Sequence, residues 1–170
     1  MGLFSKLFKK RPRIYYIEIN DDEINKELSR IIGQVQKQIK DFKITLGKTT
    51  LDSKESSLER MYQLLITARH KLKDIEIDVD KIINIELQNS NYFSIKDQSF
   101  LKDKKDQISI IAEKIDEFIN IIQQRPSAEE FKQELLDQLT HKLNQISVSM
   151  DKMIADDYNL KAIYKKINDL

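Results

Sequence analysis

The amino-acid sequence predicts an all-α protein: an elongated antiparallel four-helix bundle, with room for a short fifth helix, preceded by an N-terminal amphipathic arm. The first observation behind this is the series Leu58, Met61, Leu65, Ala68, Leu72, Ile75, Val79 and Ile82, which advances by alternating steps of three and four. That spacing lays every member on one seam of a helix, in the manner of a coiled coil. At 1.5 Å per residue the seam is roughly 36 Å long, and only other long helices can bury such a stripe. Tyr62, Ile66, Ile77 and Ile83 widen it, so more than one neighbour is expected. The second observation is that Gly numbers 3 and Pro 2 in 170 residues, far below their usual combined share of roughly 12%. Turns are therefore few and elements long. The third is that three more stretches repeat the helical spacing between short breaks.

Ile14–Ile19 (IYYIEI) is rich in β-branched and aromatic residues and reads as an extended strap along the bundle. Addition of this segment to a partner's sheet edge is the other use for such a sequence. Asn20 or Asp21 then caps a helix, with Glu23 placed for a capping box from Asn20. Ile24, Leu28, Ile31, Val35, Ile39, Phe42 and Leu46 follow with an eleven-residue repeat, which favours a straight or slightly right-handed course. Gly47 ends this helix and Lys48–Ser53 turns the chain. The long second helix is expected from about Ser53 to Leu87. Within it Ile75-Glu76-Ile77-Asp78-Val79 also alternates with period two, the pattern of a strand, although the same residues fit the unbroken heptad.

Asn89-Ser90-Asn91 breaks the pattern and Tyr92-Phe93 is placed to cover the bundle end. A third helix over about Ser94–Gln124 turns Leu101, Ile108, Ile111, Ile115, Phe118 and Ile122 inward, with Lys102–Asp106 as its most solvated part. Pro126-Ser127 marks a boundary at which Ser127 caps and Glu130 closes the box. The fourth helix buries Phe131, Leu135, Leu139, Leu143, Ile146, Met150 and Met153. Asp156-Asp157 interrupts this seam, and Leu160, Ile163, Tyr164 and Ile167 resume it, either after a polar notch or in a separate fifth helix starting near Asp157.

The arm, MGLFSKLFKKRPR, is where the sequence speaks to function. At 100° per residue Leu3, Phe4, Leu7 and Phe8 fall within an arc of about 140°, and Ser5, Lys6, Lys9 and Lys10 occupy the remainder. Lys6, Lys9, Lys10, Arg11 and Arg13 supply five positive charges against no negative one, so the overall +1 leaves −4 on residues 14–170. Pro12 stops the helix, because it lacks an N–H and disfavours α geometry at Arg11. An apolar face beside a lysine-rich one is the pattern of an interfacial membrane anchor. Two other uses suit the same residues: the apolar four could dock on the bundle, or KKRPR could meet phosphates or serve as a nuclear address. Lys6 stands where a myristoylation signal wants Ser or Thr, and there is no Cys to palmitoylate. Residues 1–13 lack the apolar run and cleavage site of a secretory signal, and no 18-residue apolar run exists to span a bilayer.

No chemical motif accompanies the arm. His70 and His141 have no His three or four residues away, no HExxH occurs, and neither follows a Glu at the spacing of a di-iron bundle. Asp21-Asp22 and Asp156-Asp157 read as helix starts or solvated turns. Three isolated glycines make no phosphate loop, and no serine elbow or kinase signature is present. Met150 and Met153 could offer an adaptable contact patch, though they fit the core seam. The absence of Cys excludes disulfides and thiolate sites and suits a reducing compartment. A mixed-sign charge content of 34% is not the strongly basic footprint of a nucleic-acid domain.

Through Leu3-Phe4-Ser5-Lys6-Leu7-Phe8 and its basic tail the arm resembles the N-terminal amphipathic anchors of ESCRT-III and PspA-type membrane-remodelling proteins. Those proteins open with a basic hairpin and finish acidic, whereas Asn20–Leu46 mixes both signs. The likeness covers about a tenth of the chain and implies membrane contact by the arm alone.

The expected organisation is a basic amphipathic arm over 1–13, a strap over 14–19 and a helical bundle over 20–170. The expected function is a non-enzymatic scaffold or adaptor, peripheral at the cytoplasmic face of a membrane, without a cofactor or a metal. An anionic membrane surface is the expected partner of the arm. A protein of unspecified identity is expected on the bundle, and self-association of identical chains is anticipated. A soluble protein-binding module, immunity- or antitoxin-like, is the alternative; weak nucleic-acid binding through the basic arm ranks third.

Overall fold

The computed structural model describes residues 21–45, 51–89, 91, 93–124, 133–155 and 157–169. They form five helices and, among the described residues, no strand: α1 (Asp21–Thr45), α2 (Leu51–Gln88), α3 (Ile95–Gln123), α4 (Gln133–Ala155) and α5 (Asp157–Asn168). Each of α1 to α4 packs on its neighbour in sequence, and α1 also packs on α4, which closes a four-membered ring. The pairs that cross between helices show the antiparallel sense. Tyr62 meets Gln123, Arg69 meets Asp116 and Asp80 meets Lys105, so numbers rise along α2 as they fall along α3 in one register. Likewise Glu117 meets Lys142 and Lys114 meets Ser149 between α3 and α4, while Gln36 meets Ser147 between α1 and α4.

The seam of α2 is buried without exception: Leu58, Met61, Leu65, Ala68, Leu72, Ile75, Val79 and Ile82 are all at most 1% exposed. Of the flanking residues, Tyr62, Ile66 and Ile83 pack partly against the core, whereas Ile77 faces outward. The alternation at 75–79 is helical. A strand there would leave its backbone groups without a partner strand, while the helix satisfies them and keeps Ile75 and Val79 in the core. The helix also begins within the turn assigned to Lys48–Ser53, since residues 51–53 already belong to α2.

Three seams continue through residues that sequence patterning passed over. In α3, Leu101, Lys104, Ile108, Ile111, Ile115, Phe118 and Ile122 keep the three-four step, all buried. Lys104 is therefore a seam residue, and Lys102–Asp106 is not uniformly solvated. In α4 the buried series is Leu136, Leu139, Leu143, Ile146, Met150 and Met153, with Leu135 only half-buried. Leu136 keeps the heptad where Leu135 would need two successive steps of four. In α1 the buried residues Asn25, Leu28, Ile32, Val35, Ile39 and Phe42 follow the heptad, with Ile31 buried beside them. Ile24 of the eleven-residue pattern is only half-buried, because Asn25 holds the heptad position beside it; Ile31 and Ile32 are both buried because a ring of four helices gives α1 two neighbours and so a face broader than a single stripe.

At the end where α2 meets α3 a second, smaller core gathers Ile82, Phe93, Leu101, Ile163, Tyr164 and Ile167. Phe93 covers this end as its sequence position suggested; Tyr92 lies outside the described residues. The C-terminal seam is a separate fifth helix, which packs on α2, α3 and α4. Lys104 beside Met153 and Asp97 beside Lys166 show α5 carrying on past α4 toward the start of α3. The capping box of α3 is complete: Ser94 is extended (φ −71°, ψ 160°), its Oγ accepts from the Asp97 N–H at 3.1 Å and its own N–H donates to Asp97 Oδ2 at 3.3 Å. The caps expected at Asn20 and Ser127, the helix stop at Gly47 and the inward Phe131 lie outside the described residues, as do the arm and the strap.

Candidate functional site

The residues singled out for membrane contact (Leu3, Phe4, Lys6, Leu7, Phe8, Lys9, Lys10, Arg11 and Arg13) precede the described part of the chain. What the described residues offer is a surface and two buried polar arrangements. No helix among them is long and apolar enough to cross a membrane, and no group of three or more His, Cys, Asp or Glu among them could hold a metal ion. His70 and His141 are both exposed. His141 Nε2 lies 3.1 Å from Gln145 Nε2, a local contact one turn along α4. Asp137, the neighbour expected for His141, instead accepts from Gln133 at 3.0 Å.

The surface is an open trough of about 710 Å³ between α2 and α3. Helices that pack along a seam leave a furrow on each side of it, and here the residues flanking both seams line that furrow. Tyr62 and Ile66 form the apolar part of one wall; Ala112 and Ile119, both nearly buried, form the floor on the other side. Gln123 Nε2 approaches Tyr62 Oη at 3.5 Å at one end, and Glu76 lies toward the other. The rim is acidic. Glu76, Glu113, Asp116 and Glu117 stand against Arg69, which donates from Nε to Asp116 Oδ1 at 3.1 Å and bridges the trough. Lys73 and Lys142 reach Glu76 and Glu117 from outside the lining. These pairs are solvent-exposed and contribute little to stability, so they can exchange partners at small cost.

The first buried polar arrangement is at the α4/α5 break. Lys104 is 2% exposed, and its Nζ donates to the Met153 carbonyl at 3.0 Å. That carbonyl lies in the last turn of α4, where helix geometry leaves carbonyls without intrahelical donors and concentrates negative partial charge. The aliphatic stem of Lys104 fills a core position while its ammonium serves the helix end. The second arrangement closes the bundle at the α2/α3 end. Glu86, one heptad step past Ile82, is 7% exposed. Burial raises its pKa, and the charge of Asp97 adds to the rise. Asp97 behaves oppositely. Burial alone would raise it, but hydrogen bonds from Lys166 Nζ and the Ser94 N–H, with the Lys166 charge, hold its carboxyl below the usual range.

Sequence patterning missed Lys104, Glu86 and Asn25 because it admitted only apolar residues to a seam; continuing the three-four step through each helix finds all three. The trough had no signal in any single stretch, since its two walls come from helices about 40 residues apart. Together these features define a closed four-helix bundle, extended at one end by a fifth helix and carrying an acidic, partly apolar trough on its α2/α3 face. Comparison with protein-family models, with curated proteins and with solved structures finds no match.

Proposed function

We propose that the protein is a non-enzymatic scaffold that attaches to an anionic membrane surface through its N-terminal arm and presents the helical bundle to protein partners. The observation that carries this reading is the segregation of Leu3, Phe4, Leu7 and Phe8 from Lys6, Lys9, Lys10, Arg11 and Arg13 in a chain whose remainder is net acidic. Four apolar side chains half-buried among headgroups contribute about 4–6 kcal/mol. Each basic residue near an anionic leaflet adds about 1 kcal/mol. Ordering ten residues costs about 1–2 kcal/mol apiece before helix hydrogen bonds offset part of it. The balance makes one arm a weak, reversible anchor, and several arms on one oligomer a strong one through effective concentration. Replacement of Phe4 and Phe8 by Asp is expected to abolish sedimentation with anionic vesicles while leaving the melting temperature nearly unchanged. A large drop in melting temperature would mean that these residues belong to the core instead.

A soluble protein-binding module is the second reading, and the trough favours it, because an acidic furrow with an apolar floor suits a basic amphipathic helix. Under that reading removal of residues 1–13 leaves partner binding intact.

A further inference from the structure

We infer that the trough between α2 and α3 is the resting dock of this chain's own arm, with Leu3, Phe4, Leu7 and Phe8 set between Tyr62, Ile66 and Ile119 and the basic residues facing the acidic rim. Charge complementarity is the first argument. The arm carries five positive charges and no negative one; four of the five charged residues lining the trough are carboxylates, and with Asp116, Glu76 and Glu117 paired to Arg69, Lys73 and Lys142 the rim keeps one net negative charge. Glu113 is exposed on that rim and gains a partner when a lysine approaches. The apolar floor is the second argument, because it gives the arm's apolar face a place to leave water without a lipid.

Reach is the third. Glu27 of α1 lies within electrostatic range of Lys71 of α2. Since α1 and α2 run oppositely, the start of α1 at Asp21 comes level with the Glu76 end of the trough. Residues 14–20 span up to about 23 Å when extended, enough to cross a helix about 10 Å wide. Residues 3–10 as a helix measure about 12 Å, against about 21 Å from Glu76 to Tyr62 along α2. The arm therefore enters at one end and fits within the length. Resting on the membrane role proposed above, this contact makes the acidic trough and an anionic leaflet competitors for one basic, apolar segment. The protein then binds membranes less readily than the free arm would, and anything that occupies the trough releases the arm.

The chain has no Cys, so Ser5→Cys gives a single site, off the arm's apolar face, for a nitroxide label. In lipid-free, full-length protein the label is expected to broaden the amide signals of Tyr62, Ile66, Ala112 and Asn120 and to spare those on the α1/α4 face. Glu113→Lys with Glu117→Lys should remove the broadening and tighten binding to vesicles of mixed anionic and zwitterionic lipid by about five-fold or more. Broadening spread evenly over the bundle, or centred on the α1/α4 face, overturns the inference. So does broadening that appears only between labelled and unlabelled chains in a mixed sample, which would assign the trough to a second copy. Vesicles distinguish the two proposals. If neither protein sediments with them while the broadening persists, the membrane role fails and the dock stands; if both sediment equally and no broadening occurs, the dock fails and the membrane role stands.

Discussion

Glu86 occupies the position where the α2 seam would next place an apolar residue, and the chain tolerates a carboxyl there at an energetic cost. Burial, then the charge on Asp97, raises its pKa above the ordinary carboxylate value. The folded state thus holds this proton more tightly than the unfolded state does, and stability rises as pH falls through the folded value. Above its folded pKa Glu86 carries its charge in a setting that disfavours it, so Glu86→Gln is expected to raise the melting temperature there by a few degrees. The gain should shrink as pH drops below the carboxylate range, where the native side chain is neutral too. Melting curves of both proteins from neutral pH into that range check this. A constant difference across pH would assign the effect to packing rather than to charge. Asp97 contributes with the opposite sign: its lowered pKa supports the fold above the ordinary carboxylate value, and that support is lost as pH falls through the lowered one.

At the scale of the helix, regular spacing made most of the fold legible. The α2 seam could be read residue by residue because none of its eight positions from Leu58 to Ile82 is polar. The fold class and the antiparallel ring followed from that spacing and from the scarcity of Gly and Pro, whereas Asp156-Asp157 suited a polar notch as well as the separate fifth helix that forms. What was not legible turned on residues whose burial is decided by a neighbouring helix. Lys104 reads as solvent-facing in its own stretch; it is buried because the end of α4 supplies a carbonyl for its ammonium. Leu135 and Leu136 are equally apolar, and only the heptad shared with α3 selects Leu136. Lys104→Met keeps the stem and removes the donor to the Met153 carbonyl, and leaving that carbonyl without it costs about 1–3 kcal/mol. Denaturant unfolding of the two proteins measures it. Stabilisation by Lys104→Met would show instead that removing a buried charge outweighs the carbonyl's need for a donor.

Over the whole molecule the helices divide their work by length. α2 has 38 residues and α1 has 25, so α1 does not cover all of α2, and α5 adds the second core near the α2/α3 turn. The result is one continuous bundle whose face between α2 and α3 stays open. That face could not be foreseen from any one helix, whereas the arm was visible from thirteen residues. Membrane binding by the arm is measured by sedimentation of the full-length protein against a chain starting at Ile14, each with anionic and with neutral vesicles. Only the full-length protein is expected to sediment, and only with anionic vesicles. Equal sedimentation of both chains, or of neither, would contradict it.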